Sequence, residues 1–354
     1  MKKITYKLKG KITILDIARL TGLSKGTVDR VLHNRGEVSK KSYQKVMDVI
    51  KELDYEPNLY ASLLARSERR SIAILIPAHK HGSYWELASA GIKRAEPLIK
   101  PMSLFAESFT YNQYKAESFR EACARVLESQ PSGVVMAPMF HYETQVFAKE
   151  LMARSIPYVL VDNKLEMPGH MAFFGIPAYK SGYLCAAMLT YGLPVKEVLI
   201  VRILRDKERQ SDPTVMRRAG FMDYMLEHSP GCTIRTLFID PEDPVATDDA
   251  LHSFFSEFPG VRHIAMFNSR VHLIVPFLER HPANRQVVGF DNLEANLSAL
   301  RRGTVTALIA QRPEEQVRQA IQALAERIVF QRQPEKTDHY MHMDILIQYN
   351  TEDY

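Results

Sequence analysis

The protein has 354 residues, of which 46% are hydrophobic and 25% charged, and no run approaches the roughly 18 apolar residues of a membrane span, which argues against a membrane protein. Its basic first residues lack the apolar core and cleavage site of a signal peptide, and its three cysteines are widely spaced, so we expect a cytoplasmic protein without disulfides, metal or cofactor. Residues 1–70 carry a net charge of +8 and residues 71–354 a net charge of −3. Such a basic segment can meet a polyanion or form a solvated terminus, and charge alone favours neither.

Residues 13–53 have the spacing of three short helices. The apolar positions of "TILDIARL" predict an amphipathic first helix with Thr13 as its N-cap. Gly22 breaks this helix, Ser24 can cap the second, and Ser39 can cap the third. The inner faces of the second and third helices are expected to carry Val28, Val31, Leu32, Tyr43, Val46, Ile50 and Leu53. Three short helices around one core predict a helix-turn-helix domain, whose second helix enters the major groove of DNA.

The stretch "ITILDIARLTGLSKGTVDRVLHNRGEVSKKSYQKVMDVIKELDYEPNLYASLLA" resembles the DNA-binding head of the LacI family of bacterial transcription regulators. The identities are spread over the whole stretch, which makes the match specific. The resemblance implies a homodimeric repressor that binds pseudo-palindromic operator DNA and responds to a small-molecule effector. The positions that match the family's DNA contacts are Thr13, Ser24, Lys25, Gly26, Thr27, Arg30, His33, Ser39, Ser42, Asn58, Ala61 and Leu64.

The resemblance assigns different roles to these positions. Lys25 and Gly26 match the two principal base-reading residues, and because Gly26 has no side chain, Lys25 and Arg30 must carry more of the direct readout. The serine and threonine hydroxyls can donate to phosphates, or they can be plain helix caps. Asp29 stands where the family usually has serine. It can pair with Arg30 or accept a hydrogen bond from a cytosine amino group, and we favour the pairing.

A short segment after the third helix resembles the family's hinge helix. Asn58 can cap a helix that runs to about Arg66, too short to be stable alone. In the family, paired hinge helices fold in the minor groove, where a leucine separates two base pairs. Leu64 matches that leucine and Ala61 the close contact between the helices, although Leu63 and Leu64 could equally be a linker's contact with the body.

The remaining residues alternate apolar runs with helical stretches. The runs are "SIAILIP", "SGVVMAP", "IPYVLVD", "EVLIVRIL", "RHIAMFN", "QVVGFD" and "VTALIAQ". Continuous apolar strands between helices predict doubly wound parallel sheets that are buried on both faces. Their number indicates two lobes, and their order resembles the type I periplasmic-binding-protein fold. We therefore expect a head at 1–57, a hinge at 58–70 and a body at 71–354. Lobe one is expected at about 71–174 and 311–333, and lobe two at about 175–310 and 334–354.

Ligands of such sheets bind outside the carboxyl ends of the strands, where this sequence has polar residues. The candidate effector contacts, which match the family's cleft positions, are Tyr84, Trp85, Asp162, Arg217, Asn268, Asp291 and Gln311. Carboxylates, amides and an arginine suit the paired hydroxyls of a sugar or sugar derivative, and an aromatic ring can lie against it. We expect Arg217 and Asp291 to grip the ligand from opposite sides of the cleft. The basic stretch "RQSDPTVMRR" leaves a phosphate or carboxylate ligand open.

Catalytic patterns are weak in this sequence, so we do not expect an enzyme. There is no GxSxG, Walker A or strand-borne GxGxxG motif. The "HKH" at 79–81 has neither cysteine nor carboxylate at ligand spacing, which makes a metal site improbable. The alternatives to a regulator are a sugar-binding protein and a sugar-active enzyme without a DNA role, since the fold alone permits either.

Overall fold

In a computed structural model, the described residues are 12–32, 38–53, 70–203 and 213–352. The chain divides into two units, Met1–Glu68 and Arg69–Tyr354. His33, Asn58, Ala61 and Leu64, together with the predicted hinge helix, lie outside the described residues. Within the described ranges, no helix has the length and apolar character needed to cross a bilayer.

The first unit contains three helices around a small core. They are α1 (Ile14–Thr21), α2 (Lys25–Leu32) and α3 (Lys40–Glu52). Gly22 ends α1 in the left-handed region at φ 67°, which lets the chain turn sharply into α2. Ile17, Val28 and Val46 are completely buried and hold the three helices together. Tyr43 was expected in this core but is 44% exposed, because the inner face of α3 is formed by Val46 with the partly buried Val49, Ile50 and Leu53.

The second unit alternates strands and helices along the chain. Its elements are β1 (Arg70–Pro77), α4 (Tyr84–Ile99), β2 (Leu104–Tyr111), α5 (Ala116–Glu128), β3 (Gly133–Met136), α6 (His141–Ala153), β4 (Tyr158–Val161), β5 (Ala172–Gly175), α7 (Ala178–Thr190), β6 (Glu197–Ile203), α8 (Pro213–His228), β7 (Thr233–Ile239), α9 (Pro244–Glu257), β8 (His263–Met266), α10 (Val275–Arg280), β9 (Gln286–Phe290), α11 (Glu294–Arg301), β10 (Ala307–Ala310), α12 (Pro313–Phe330), β11 (Asp338–Tyr340) and β12 (Asp344–Leu346). Short 3-10 helices follow α4 and β8.

The strands form two six-stranded sheets, one in each lobe. The strand order is β11-β5-β4-β3-β1-β2 in lobe one and β12-β10-β9-β8-β6-β7 in lobe two. All neighbours are parallel except β12, which runs antiparallel to β10. Strands β3 and β4 are buried along their whole length, as expected for a parallel sheet covered on both faces. The predicted fold class of two doubly wound lobes is confirmed.

Five strands and one lobe boundary differ from the sequence prediction. The seven apolar runs do not include β2, β5, β7, β11 or β12. Strands β2 and β7 lie at sheet edges, where exposed residues interrupt the apolar run, and β11 and β12 are edge strands of three residues each. Strand β5 is buried and as long as the predicted β3 and β4, so its length does not explain why it was missed. The assignment of residues 334–354 to lobe two is wrong for β11, which pairs with β5 in lobe one. The chain adds this strand to the lobe that α12 covers before it crosses to β12.

A close helix crossing fixes the start of α8. A Cβ atom on Gly182 of α7 would lie 1.7 Å from the carbonyl oxygen of Arg217, and one on Gly220 of α8 would lie 2.0 Å from the carbonyl oxygen of Tyr179. The two helix backbones are therefore in direct contact, which no other residue type allows at these positions. This crossing holds the backbone of Arg217 at the strand ends of lobe two.

Candidate functional site

The turns at the start of each helix in the head are closed by their own side chains. The hydroxyl of Thr13 donates to the carboxylate of Asp16 at 2.6 Å, and its oxygen accepts the Asp16 backbone N–H at 3.3 Å. The oxygen of Ser24 accepts the backbone N–H of Thr27 at 3.1 Å. Ser39 likewise accepts the Ser42 N–H at 3.2 Å, and their hydroxyls lie 3.0 Å apart. Thr13, Ser24 and Ser39 are therefore helix caps, and the contacts of these residues and of Ser42 with phosphate stay predictions.

The outer side of α2 carries the candidate base-reading residues. Lys25, Gly26 and Arg30 are exposed, whereas Val28 and Val31 of the same helix are buried. A Cβ atom on Gly26 would meet nothing closer than the Ser24 oxygen at 3.9 Å. Packing within the head therefore does not require glycine at this position. Asp29 is half-buried, and both of its predicted roles stay open.

Equivalent strands of the two lobes end in the same way. Asp162 follows β4 and Asp291 follows β9, and both adopt the left-handed conformation, at φ 65° and 68°. Each backbone N–H donates at 3.0 Å to the next strand of its sheet, from Asp162 to Phe174 and from Asp291 to Ile309. A left-handed residue turns the chain away from the strand direction at once. Both carboxyl groups are thereby brought to the carboxyl edge of their sheets.

Arg217 is the cation at the centre of the lobe-two site. It is 4% exposed, and its guanidinium lies over the ring of Phe290 at 4.4 Å from the centroid. Its Nη1 donates to the carbonyl oxygen of Phe267 at 2.8 Å and its Nη2 to Oε1 of Gln311 at 2.8 Å. Nε is buried and has no partner among the described residues. A buried donor without a partner is costly, and a ligand oxygen could accept its hydrogen bond.

Asp291 lies beside this arginine and is 1% exposed. Burial raises the pKa of its carboxyl to about 7, although the charge of Arg217 and a hydrogen bond from Gln311 oppose the rise. The charge of Asp162 adds to it. Oδ1 of Asp291 is buried without a partner within the part of the chain that the structure describes. Gln311 therefore lies between Arg217 and Asp291. Nε of Arg217 and Oδ1 of Asp291 each have no hydrogen-bond partner among the described residues.

Lobe one contributes a tyrosine and a carboxylate to the same region. The hydroxyl of Tyr84 donates to Oδ1 of Asp162 at 2.5 Å. Burial raises the pKa of Tyr84 well above its usual value, and the charges of Asp162 and Asp291 raise it further. The charge of Arg217 acts in the opposite direction, so the lobe-one hydroxyl lies within reach of the lobe-two charges. Trp85 is 6% exposed and meets the Tyr84 ring edge to face at 5.0 Å.

The predicted positions of Arg217 and Asp291 around the ligand are wrong in one respect. Arg217 and Asp291 were predicted on opposite sides of the cleft, but both belong to lobe two. The lobe-two bounds expected from the sequence, about 175–310, already include both residues, so the error was to place them on facing sides. Tyr84 and Asp162 form the opposing side. Asn268 lies at the end of β8 with its oxygen accepting the backbone N–H of Arg270 at 3.0 Å, so its visible role is to close a turn.

Sequence reasoning missed three residues of this region. Asn296 is completely buried in α11 beneath the strand ends, and nothing in a helical stretch marks such an asparagine. Arg270 of lobe two donates to the hydroxyl of Tyr114 of lobe one at 2.6 Å. Tyr114 follows β2, an edge strand that the apolar pattern did not reveal. Among the described residues, the unpaired donor of Arg217, the unpaired acceptor of Asp291 and an aromatic neighbour together suit a ligand with several hydroxyl groups.

Comparison with known families matches both units. Residues 13–58 match the profile of bacterial regulatory proteins of the lacI family. Residues 72–331 match the profile of the periplasmic binding protein domain. The first match contains the three helices of the head, and the second contains nearly all of both lobes. The stretch between the two matches, residues 59–71, contains the border between the two units.

Individual relatives agree with these profiles. The regulator DegA of Bacillus subtilis is 41% identical over 152 residues, which cover 43% of this chain and 44% of DegA, so less than half of that relative is matched. A structure from Bacteroides fragilis, assigned as a LacI transcriptional regulator, has a TM-score of 0.76 at 32% identity and covers 81% of this chain and 100% of its own. A carbohydrate transporter solute-binding protein from Agrobacterium radiobacter, solved with D-arabinose, has a TM-score of 0.69 at 15% identity over 81% of this chain and 97% of its own, which shows a shared fold.

Proposed function

This chain belongs to the LacI family of bacterial regulatory proteins, and we propose that it is a sequence-specific transcriptional repressor whose operator affinity is controlled by a sugar or sugar derivative. The observation that carries the proposal is the joining, in one chain, of a helix-turn-helix head to a two-lobed body with buried, partly unpaired polar groups at its strand ends. It acts by binding, without a catalytic step, in the cytoplasm. Neither metal nor cofactor is part of the proposal.

The head supports the DNA role through the exposed side of α2. Lys25 and Arg30 can reach guanine acceptors in the major groove, and Gly26 lets the helix approach the base edges closely. Thr27 and His33 add contacts to bases or phosphate, and the remaining capping hydroxyls set the register on the backbone. The net charge of +8 over residues 1–70 adds affinity that weakens with salt.

The hinge and the dimer extend this role. We propose that residues 58–66 become ordered on specific DNA, with Leu64 between two base pairs and Ala61 at the contact between paired hinges. A homodimer would present two heads to a pseudo-palindromic operator. Leu64→Ala should then reduce DNA bending in a gel-based phasing assay without changing sugar binding. Unchanged bending would assign Leu64 to packing instead.

The body supports an effector with hydroxyl groups and little charge. Two carboxyl groups, Asp162 and Asp291, accompany Arg217, whose two terminal nitrogens already bind Phe267 and Gln311. A phosphate or carboxylate here would lie beside the Asp162 carboxyl and beside Asp291, whose own ionisation is already disfavoured by burial, so a further negative charge is unfavourable. A neutral sugar can instead donate to the carboxyl oxygens and accept from Nε of Arg217. Tyr84, Trp85 and Asn268 would complete the lining of the sugar-binding site.

Two measurements test the proposed function. Selection from a random DNA pool at physiological salt should yield a palindromic consensus that binds far more tightly than scrambled DNA. In a thermal-shift screen, neutral sugars such as D-arabinose, D-allose and D-glucose should raise the melting temperature of the protein, whereas gluconate and glucose 6-phosphate should not. Equal affinity for all DNA would refute the regulator, and a sugar-binding protein without a DNA role would then be the better assignment. A response to the anions alone would refute the neutral effector.

A further inference from the structure

We propose that Asn296 is a positioning residue that joins the backbone of Asp291 to a contact between the two lobes, the Arg270–Tyr114 pair. The inference rests on the effector site proposed above, because it explains how a ligand at Asp291 would be sensed by the opposite lobe. Neither the strand-end rule nor the family resemblance points to Asn296.

The side-chain amide of Asn296 connects two segments that are separate in sequence. Its Nδ2 donates to the carbonyl oxygens of Ser269 at 2.9 Å, Phe290 at 3.1 Å and Asp291 at 3.1 Å. Its Oδ1 accepts from the backbone N–H of His272 at 3.1 Å and from the His272 ring at 2.9 Å. Burial lowers the pKa of His272, so a neutral ring donates through Nδ1 to an oxygen that can only accept. Both ends of this amide are fully used.

These bonds fix the conformation from which the Asp291 carboxyl projects. The carbonyl groups of Phe290 and Asp291 both point to one nitrogen, although Asp291 has a positive φ of 68°. A left-handed aspartate is less stable than an extended one, and it persists where neighbouring groups hold it. Asn296 is completely buried, so loss of its donor would leave carbonyl groups unpaired where water does not replace the bond.

The same amide also holds the loop that reaches lobe one. This loop runs from the end of β8 through Ser269 and His272, and between them Arg270 extends its side chain. The Arg270 guanidinium donates to the Tyr114 hydroxyl at 2.6 Å and lies 5.9 Å from the centre of the Tyr114 ring. One end of the loop is thus tied to Asn296 and its tip is tied to lobe one. A shift of the Asp291 backbone on ligand binding would therefore move the Arg270–Tyr114 contact.

Hydrogen exchange of the full-length, ligand-free protein tests this connection, with Tyr114→Phe as the principal variant. It removes the acceptor of Arg270 and leaves Asn296 and both strand ends unchanged. We expect amides in residues 268–273 and also in 290–293 to exchange about tenfold faster, since a hydrogen bond to a charged group is lost. Tyr158→Phe, which removes another tyrosine hydroxyl bond in lobe one, should change neither segment.

Asn296→Asp supplies the second arm, because it keeps the acceptor of His272 and replaces three N–H···O hydrogen bonds by at most one from a protonated carboxyl. The same two segments should exchange faster, and adding Tyr114→Phe should have no further effect on 290–293. Acceleration of 268–273 alone in Tyr114→Phe, or full additivity in the double variant, would overturn the proposal. If Asn296→Asp does not fold, Asn296→Ser replaces it, and the Tyr114→Phe result decides by itself. The exchange experiment needs neither sugar nor DNA. If the protein bound neither of them, the proposed function would be refuted, and the role of Asn296 would still be decided by the exchange rates.

Discussion

In the head, the candidate DNA contacts Lys25 and Arg30 are exposed, whereas in the body the candidate effector contacts Arg217 and Asp291 are 4% and 1% exposed. The head satisfies its capping hydroxyls locally, while each body residue keeps a buried polar atom without a partner among the described residues. Exposed side chains can be removed with little cost to folding, but buried polar groups cannot. Variants of the head should therefore change DNA binding alone, and variants of the body should change ligand response and stability together.

The largest expected effect is on the pH dependence of body stability in Asp291→Asn. Asp291 has a pKa of about 7 when folded, against a usual value of 3.8, so the folded state holds the proton more tightly. This contribution to stability is present below about pH 4 and is lost as the pH rises to about 7. Each pKa unit corresponds to about 1.4 kcal/mol, so the loss amounts to several kcal/mol.

Denaturant unfolding of the wild type and Asp291→Asn across this range measures the loss. From about pH 4 to about pH 7, the unfolding free energy of the wild type should fall relative to that of the variant. Above about pH 7, the difference between the two should stay constant. Asp249→Asn, at an exposed carboxyl, controls for the removal of one charge. A difference that does not vary with pH would show that the Asp291 carboxyl is not held in its neutral form by burial.

The next largest effect is expected for Arg217→Ala. Its loss removes the side-chain donor to the carbonyl oxygen of Phe267 and to Oε1 of Gln311, at a cost of about 1–3 kcal/mol each. The sugar-induced rise in melting temperature should disappear, while operator binding without sugar persists. Arg218→Ala, at the exposed neighbouring position, should retain both properties. A full sugar response in Arg217→Ala would remove this residue from the site.

The head is expected to respond in the opposite way. Lys25→Ala and Arg30→Ala should each weaken binding to the selected operator by about 1–3 kcal/mol, because a base contact is lost. The melting temperature and the sugar response should stay at wild-type values, as both side chains are exposed. Lys51→Ala, at an exposed lysine near the end of α3, should change operator affinity less. Equal losses in all three variants would indicate a non-specific charge effect instead of base reading.

The smallest effect is expected for Gly26→Ala. The added methyl group has open space within the head, and alanine favours a helix over glycine by up to about 1 kcal/mol. The head should be as stable as the wild type or slightly more so, whereas the methyl group should change the preferred base at one operator position. Selection of DNA by both proteins would show this. A less stable head would mean that glycine is needed for packing.

The sequence predicts those features that depend on interactions between residues close together in the chain. Local spacing and caps were sufficient for α1, α2 and α3, and continuous apolar runs for the central strands. The edge strand β2 was missed because its solvent-facing residues hide the pattern, and with it Tyr114. Asn296 could not be identified, since its role depends on carbonyl groups that meet after the sheet has formed. The sequence placed Arg217 in lobe two, but its hydrogen bonds to Phe267 and Gln311 depend in the same way on the complete topology.

The central claim, that a ligand in the body changes DNA binding by the head, is tested most directly by operator affinity with and without sugar. Fluorescence anisotropy of the selected operator would be measured at saturating concentration of the sugar that gives the largest thermal shift. We expect the operator dissociation constant to change by about 5- to 150-fold, and the sugar affinity to change by the same factor when operator is bound. A sugar that binds the body and leaves operator affinity unchanged would contradict the account.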